Sequence, residues 1–223
     1  MIPVFLRRLS LFFLLFSLVS CFDFIEEINV NNDGSGEITL TANLSKSRTK
    51  IASLMLLDSI NGYAVPDKKE IAAQLDKTVK YLQEQNGISN VAKKADFTNF
   101  IFSISCNFQS VENINTIIAS VFKENNLGTL STTYTFNKKE KEFSKKYTFN
   151  PKFKSEYGKL SDENKEVFDQ AFYTCIFRFN DEIESFSNKQ SKLSKSKKAI
   201  MQKTPFLDLI NGKINITNSI KTK

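Results

Sequence analysis

The pattern of apolar and polar positions changes character at residue 21. Residues 9–19 are apolar except for two serines, are headed by Arg7 and Arg8, and no acid precedes Asp23. From Phe22 onward the period becomes two. Phe22, Phe24, Ile28 and Val30 share one parity, and Ile38, Leu40, Ala42 and Leu44 share another after "NNDGSGE", so residues 22–44 read as a β-hairpin. Asp33-Gly34 and Gly36 are expected to supply the positive φ angles of the reversal. The turn lacks the GxxxxGK phosphate-loop spacing, and no helical pattern follows it at once.

Helical periods come next. Ile51, Leu54, Met55 and Leu57 give a broad apolar face that stops near Asn61-Gly62. Asp67 and Glu70 have the spacing of a capping box, Ile71, Leu75, Val79 and Leu82 form one helical stripe, and Asn86-Gly87 ends it. In "NFIFSISCNFQS", Phe100, Phe102, Ile104, Cys106 and Phe108 face one way while serines and Asn107 face the other, which marks a strand with one buried side. Residues 89–96 are placed as its hairpin partner. Ser110 is positioned to cap a third helix carrying Ile114, Ile117, Ile118, Val121 and Phe122, with "NNLG" as its stop.

The second half continues in this style. Tyr134, Phe136, Phe143, Tyr147 and Phe149 are the ring-bearing positions of two strands around a lysine-rich reversal. Ser161 opens a short helix with acidic first-turn residues, which suit the positive end of a helix. Tyr173, Cys175, Phe177 and Phe179 share one strand face. A basic stretch over residues 189–203 leads to a closing strand marked by Ile214, Ile216 and Ile220. Hairpins alternating with helices, without a βαβ rhythm, predict an α+β fold: an antiparallel sheet built from hairpins with helices packed on one face.

The leader sharpens the picture. A short basic head and an apolar stretch ending at small residues describe a secretory signal, and the stretch is short for a spanning helix of about 20 residues. "LVSC", residues 18–21, resembles the lipobox of bacterial lipoproteins. That resemblance implies cleavage between Ser20 and Cys21, diacylation of the Cys21 thiol, and a mature chain of residues 21–223 forming one α+β envelope domain. Two or more acyl chains hold a protein stably to a bilayer, where one does so only marginally. Read with "NNDGSGEITLTANLSKS", "GISNV", "SCNF" and "SNKQSKLSKSKKAI", the chain resembles bacterial envelope lipoproteins over most of its mature length. The implied location is the bacterial cell envelope, as a membrane-anchored protein facing the periplasm.

Composition restricts the chemistry. The chain has no histidine, so Ser-His-Asp and Cys-His catalysis and His-ligated metal sites are excluded. No metal and no cofactor is expected. Adjacent carboxylates at Glu26-Glu27 make a poor acid–base pair because strand neighbours point to opposite faces, and Asp162-Glu163 is accounted for by a helix start. With Cys21 assigned to lipid, Cys106 and Cys175 remain as an even pair. Two buried thiols is the first reading; a disulfide stays open if the compartment is oxidising and the strands are neighbours. The formal charge of +7 falls to about +5 without Arg7 and Arg8, which suits an anionic lipid surface better than nucleic acid, a partner not expected for an exported chain. The lysines of residues 189–203 read mainly as a solvated loop, with membrane contact as the second reading. Functionally the sequence points to a tethered structural or interaction module without catalysis, meeting an envelope protein; the alternative is a binder of lipid or another apolar ligand.

Overall fold

The computed structural model describes residues 22–60, 63–124 and 131–223. The leader, Cys21, the "NNLG" stop and the Asn61-Gly62 stop lie outside them. The strands in chain order are β1 (Asp23–Val30), β2 (Gly36–Asn43), β3 (Ser59–Ile60), β4 (Tyr63–Ala64), β5 (Ile88–Asp96), β6 (Ile101–Phe108), β7 (Thr132–Asn137), β8 (Glu142–Tyr147), β9 (Phe172–Phe179), β10 (Ile183–Phe186), β11 (Lys192–Leu193), β12 (Ala199–Pro205) and β13 (Asn218–Thr222). The helices are α1 (Arg48–Leu54), α2 (Lys68–Gln83), α3 (Val111–Glu124), α4 (Pro151–Gly158), α5 (Asp162–Lys165) and α6 (Phe206–Ile210). The fold is α+β, as the alternation of patterns predicts.

A seven-stranded sheet in the order β11-β12-β9-β1-β2-β6-β5 faces a four-stranded sheet in the order β10-β13-β8-β7. Strands β1 and β9 run parallel; the other pairings among the described residues are antiparallel. Register aligns the inward parities into rows across the large sheet. Ile28 stands beside Ile38 and Phe177, and Ile38 beside Cys106. Opposite that row the small sheet presents Tyr134, Phe143 and Ile220, and the Phe143 ring lies 5.0 Å from that of Phe177 and 5.9 Å from that of Phe179. Facing sheets with interdigitating rings thus form the core, and helices flank it: α2 packs on β5 and α3 on β7 and β6.

Local chemistry explains the boundaries. The Asp67 carboxylate accepts from the Glu70 amide at 2.7 Å while the Glu70 carboxylate accepts from the Asp67 amide at 2.8 Å, the predicted capping box of α2. At the hairpin, Gly34 has φ of +90°, as expected. Gly36, against the expectation, does not take a positive φ and is required for another reason: a Cβ there would stand 1.9 Å from the Asn29 carbonyl oxygen and 2.6 Å from the Phe108 ring. The edge strand β7 is covered by a side chain. Asn115 of α3 exchanges two 2.7 Å hydrogen bonds with the backbone of Tyr134, occupying groups that an open edge would offer to another chain.

Three elements depart from the expectations. The basic stretch contains strands, since β12 pairs with β9 over its whole length. Its inward positions, Ile200, Gln202 and Thr204, are mostly polar, which hides the period. The closing strand includes Ile220 but begins at Asn218, so Ile214 and Ile216 belong to the connection before it. Asn150 caps an additional helix, α4, by accepting from the Lys152 amide at 2.9 Å.

Candidate functional site

The inner face of the large sheet is covered unevenly. Where β1 and β9 end, Ile28, Phe177 and Ile220 are fully buried. At the corner formed by β2 and β6 nearest Phe22, Leu40 keeps 39% of its surface, while Ala42, Leu44 and Phe102 are half-buried. A 3₁₀ turn at Ser45–Ser47 carries the chain out of β2 and into α1, which leans over this corner without a fully buried residue of its own. Ile51, Leu54 and Met55 share the apolar face that their period predicts, whereas Leu57 falls beyond the helix and is exposed; the face of α1 meets a gap.

That gap is a cleft of about 400 Å³. Leu44, Phe100 and Phe102 form its floor, Ile51, Leu54 and Met55 one wall, and Val65, Pro66, Ile71 and Leu160 much of the remainder. Its size falls within the range of small-ligand sites, roughly 300–1,000 Å³. Met55 and Phe100 also border a second cleft of about 610 Å³, where Arg48, Asp67 and Lys68 add charge to the rim. The two clefts therefore adjoin, one apolar and one with cationic groups at its edge. Apolar chain below and anionic head above is the ligand shape this arrangement accommodates.

A second constellation lies between the closed core and the open corner. Glu26 sits in the inward row of β1, 6% exposed, and Lys145 in that of β8, 1% exposed. The Lys145 ammonium donates to both Glu26 oxygens, at 2.9 and 3.0 Å, and also contacts the Tyr173 hydroxyl. Tyr173 in turn donates to Glu26 at 2.5 Å. The ammonium stands 4.8 Å from the centre of the Tyr173 ring and 5.6 Å from that of Tyr134. Burial, then the Glu26 charge, pushes both tyrosine hydroxyls well above their ordinary value of 10.0. Each charge has its counterpart and each hydroxyl stays neutral, so the group is a satisfied cross-sheet tie. A one-residue slip of β1 would turn Glu26 to solvent and leave Lys145 unpaired in the core, a costly outcome that penalises the wrong register.

Sequence reasoning passed over this tie, although a signal was present. Glu26 shares the parity of Phe24, Ile28 and Val30, and Lys145 that of Phe143 and Tyr147. Opposite charges on the inward faces of two strands are the trace of such a pair. The opposition of Glu26 and Glu27 is as read: Glu27 points outward and accepts from Arg178 at 2.8 Å.

Of the other residues singled out, Ser20 and Cys21 precede the described residues. Cys106 and Cys175 are both buried on the inner face of the large sheet, 3% and 2% exposed, as their parity predicts. They are free thiols, and the disulfide left open by the sequence is not formed. Strands β1 and β2 lie between β9 and β6, which separates the two by three strand spacings, about 14 Å, against the roughly 4.4–6.8 Å between Cα atoms that a disulfide needs. Burial pushes each thiol up to about 11. The lysine-rich turn of residues 195–198 falls at the far end of the sheet from Phe22, because Ala199 pairs with Arg178 and Pro205 with Phe172. Lys203 of that stretch reaches the near end, 3.4 Å from Asp23.

No family model matches the chain, and no curated protein matches it. Among solved structures, the folded domain of LppM from Mycobacterium tuberculosis, determined by NMR, is similar over 92% of this chain and 91% of its own, with 11% identity and a TM-score of 0.45. At that level the likeness assigns neither family nor function.

Proposed function

We propose that the protein is a lipid-anchored module of the bacterial envelope, facing the periplasm, that holds the apolar part of an amphiphilic ligand without transforming it. The carrying observation is the cleft between α1 and the β2–β6 corner. Ile51, Leu54, Met55 and Phe102 line it half-exposed, whereas the inner face around Ile28, Cys106 and Phe177 is sealed. Apolar surface left in water forgoes about 25 cal/mol per Å², so an acyl-like chain in the cleft recovers a contribution that the fold leaves unused. The rim supports an anionic head through Arg48 and Lys68. The tether reading is supported by "LVSC" at the end of its apolar leader, one residue before Phe22.

Native mass spectrometry of the chain purified from cells tests the reading, paired with displacement of a fluorescent fatty acid. An apolar adduct is expected on the parent. Ile51→Arg, which places a charge in the cleft wall, should reduce probe binding more than tenfold, about 1.4 kcal/mol or more. Leu193→Arg at the opposite end should leave it unchanged. A clean mass together with equal probe binding by all three chains would overturn the reading, and recovery of a stoichiometric protein partner would return the case to an interaction module. Turnover of the bound molecule, lost on a single substitution, would contradict the non-catalytic part.

A further inference from the structure

Beside the cleft wall, Leu56 and Leu57 present a different feature, Leu56 also bordering the larger cleft. Leu56 keeps 85% of its surface and Leu57 51%, the two most exposed large apolar side chains among the described residues. They are adjacent, follow directly on α1, and have basic residues before them. Lys46, Arg48 and Lys50 stand against one acid, Asp58, in residues 45–58. Arg48 and Lys50 are exposed and make no ion pair with a described residue. An apolar tip with cations behind it matches the layering of a bilayer surface, where leucines enter the acyl boundary and lysines and arginines remain among anionic headgroups.

Position in the fold selects the same partner. Residues 45–47 are fastened to the start of β1, since Lys46 lies 3.1 Å from Asp23. The floor residue Phe100 is joined to Leu44 by a 2.9 Å backbone hydrogen bond, and β6 lies two strand spacings, about 10 Å, from β1. Phe22, where the described chain begins, therefore lies at the end of the sheet that bears the leucine tip. The opposite end carries mixed charge: Lys141 stands 3.5 Å from Asp181, Lys223 2.5 Å from Glu182, and the Lys198 ammonium donates to the Asn180 carbonyl at 2.6 Å.

We infer that Leu56 and Leu57, backed by Arg48 and Lys50, form a bilayer-contact tip that seats this end of the protein on an anionic lipid surface. It uses the tether reading only for orientation. Seated this way, the cleft opens beside the membrane, and α1 lies at the interface.

The test places an environment-sensitive fluorophore on the full chain at Leu57→Cys or, as a far-end control, at Lys195→Cys. Cys21 is replaced by Ser in every variant, buried Cys106 and Cys175 label slowly, and the Cys21→Ser chain labelled in parallel gives the background. With vesicles of phosphatidylglycerol and phosphatidylcholine in equal parts, the label at 57 should shift to the blue and be quenched by nitroxide-bearing acyl chains, while the label at 195 stays aqueous. Arg48→Gln with Lys50→Gln should weaken the response about thirtyfold in lipid titration, roughly fivefold per charge. Aqueous emission at 57, equal quenching at both positions, or an equal response on pure phosphatidylcholine would each overturn the inference. Acyl labelling of Cys21, read separately, reports on the tether alone, and an empty cleft would leave the fluorophore result unaffected.

Discussion

The two corners of one sheet face share the same alternating pattern on neighbouring strands, yet they end differently. Where β1 and β9 finish, Ile28, Phe177 and Phe179 meet Phe143 and Ile220 of the second sheet, and the rings close over one another. Where β2 and β6 meet near the amino terminus, Leu40, Ala42 and Phe102 are also apolar and face the same way, but they are only partly covered, and α1 closes over Phe102 incompletely. Alternation fixes which side chains turn inward. What lies across from them is decided by chain topology, and a cleft arises where the covering element is short.

The comparison breaks most severely at the tie between the two sheets. Lys145→Met should destabilise the protein by about 3–5 kcal/mol, because it strands the buried Glu26 carboxylate without its cation. Adding Glu26→Leu should recover most of that loss, since replacing both partners removes the stranded charge. Urea unfolding of the parent and the two variants checks this, and a double variant as weak as the single one would contradict the account. Core and corner can then be weighed directly. Phe143→Ala, at a fully buried position, is expected to cost about 3–5 kcal/mol, and Phe102→Ala in the cleft floor no more than about 2 kcal/mol. Equal losses would mean that the corner is packed as tightly as the core.

Much of the fold was legible because its strands are one-sided. Phe102, Ile104, Cys106 and Phe108 against Ser103, Ser105 and Asn107 leave no doubt about parity, and Asp67 with Glu70 marks the start of α2 to the residue. What escaped has identifiable causes. Strand β12 carries Gln202 and Thr204 on its inward side, so its period is masked. Helix α4 announces itself by Asn150-Pro151, an N-cap followed by a proline at the first helical position, but it is eight residues long and has no buried side chain. The second sheet as a cover was invisible because pairing between β8 and β13 joins residues some 75 positions apart, as in the Ser144–Ser219 contact. The cleft was not readable for the same reason. Its floor and walls come from separate segments whose meeting no local pattern records.

The thiols offer a smaller effect with a definite sign. Burial raises Cys106 and Cys175 from 9.0 to about 11, so the folded protein binds those protons more tightly than the unfolded chain does. Whatever stability they contribute is fully present below about pH 9 and is lost as the pH rises through about 11. Comparison with the Cys106→Ala, Cys175→Ala double variant isolates their share from that of the tyrosines. The margin of the parent over the variant should be constant from pH 7 to 8.5 and should narrow above pH 9; a margin that widened there would reverse the assignment.

The smallest expected effect separates a cover from a contact. If residues 55–58 helped to seal the corner, shortening their side chains would loosen the fold as core substitutions do. Leu56 is 85% exposed and Leu57 51%, so little apolar area is withdrawn from water there, and Leu56→Ser with Leu57→Ser should change stability by no more than about 0.5 kcal/mol. The same pair of substitutions removes the apolar tip and should abolish co-sedimentation of the Cys21→Ser chain with the anionic vesicles while leaving urea unfolding in place. Those two measurements on one variant distinguish the possibilities: a loss of several kcal/mol would make the leucines part of the corner's packing, whereas unchanged stability with lost lipid contact makes them a surface the fold maintains for its surroundings.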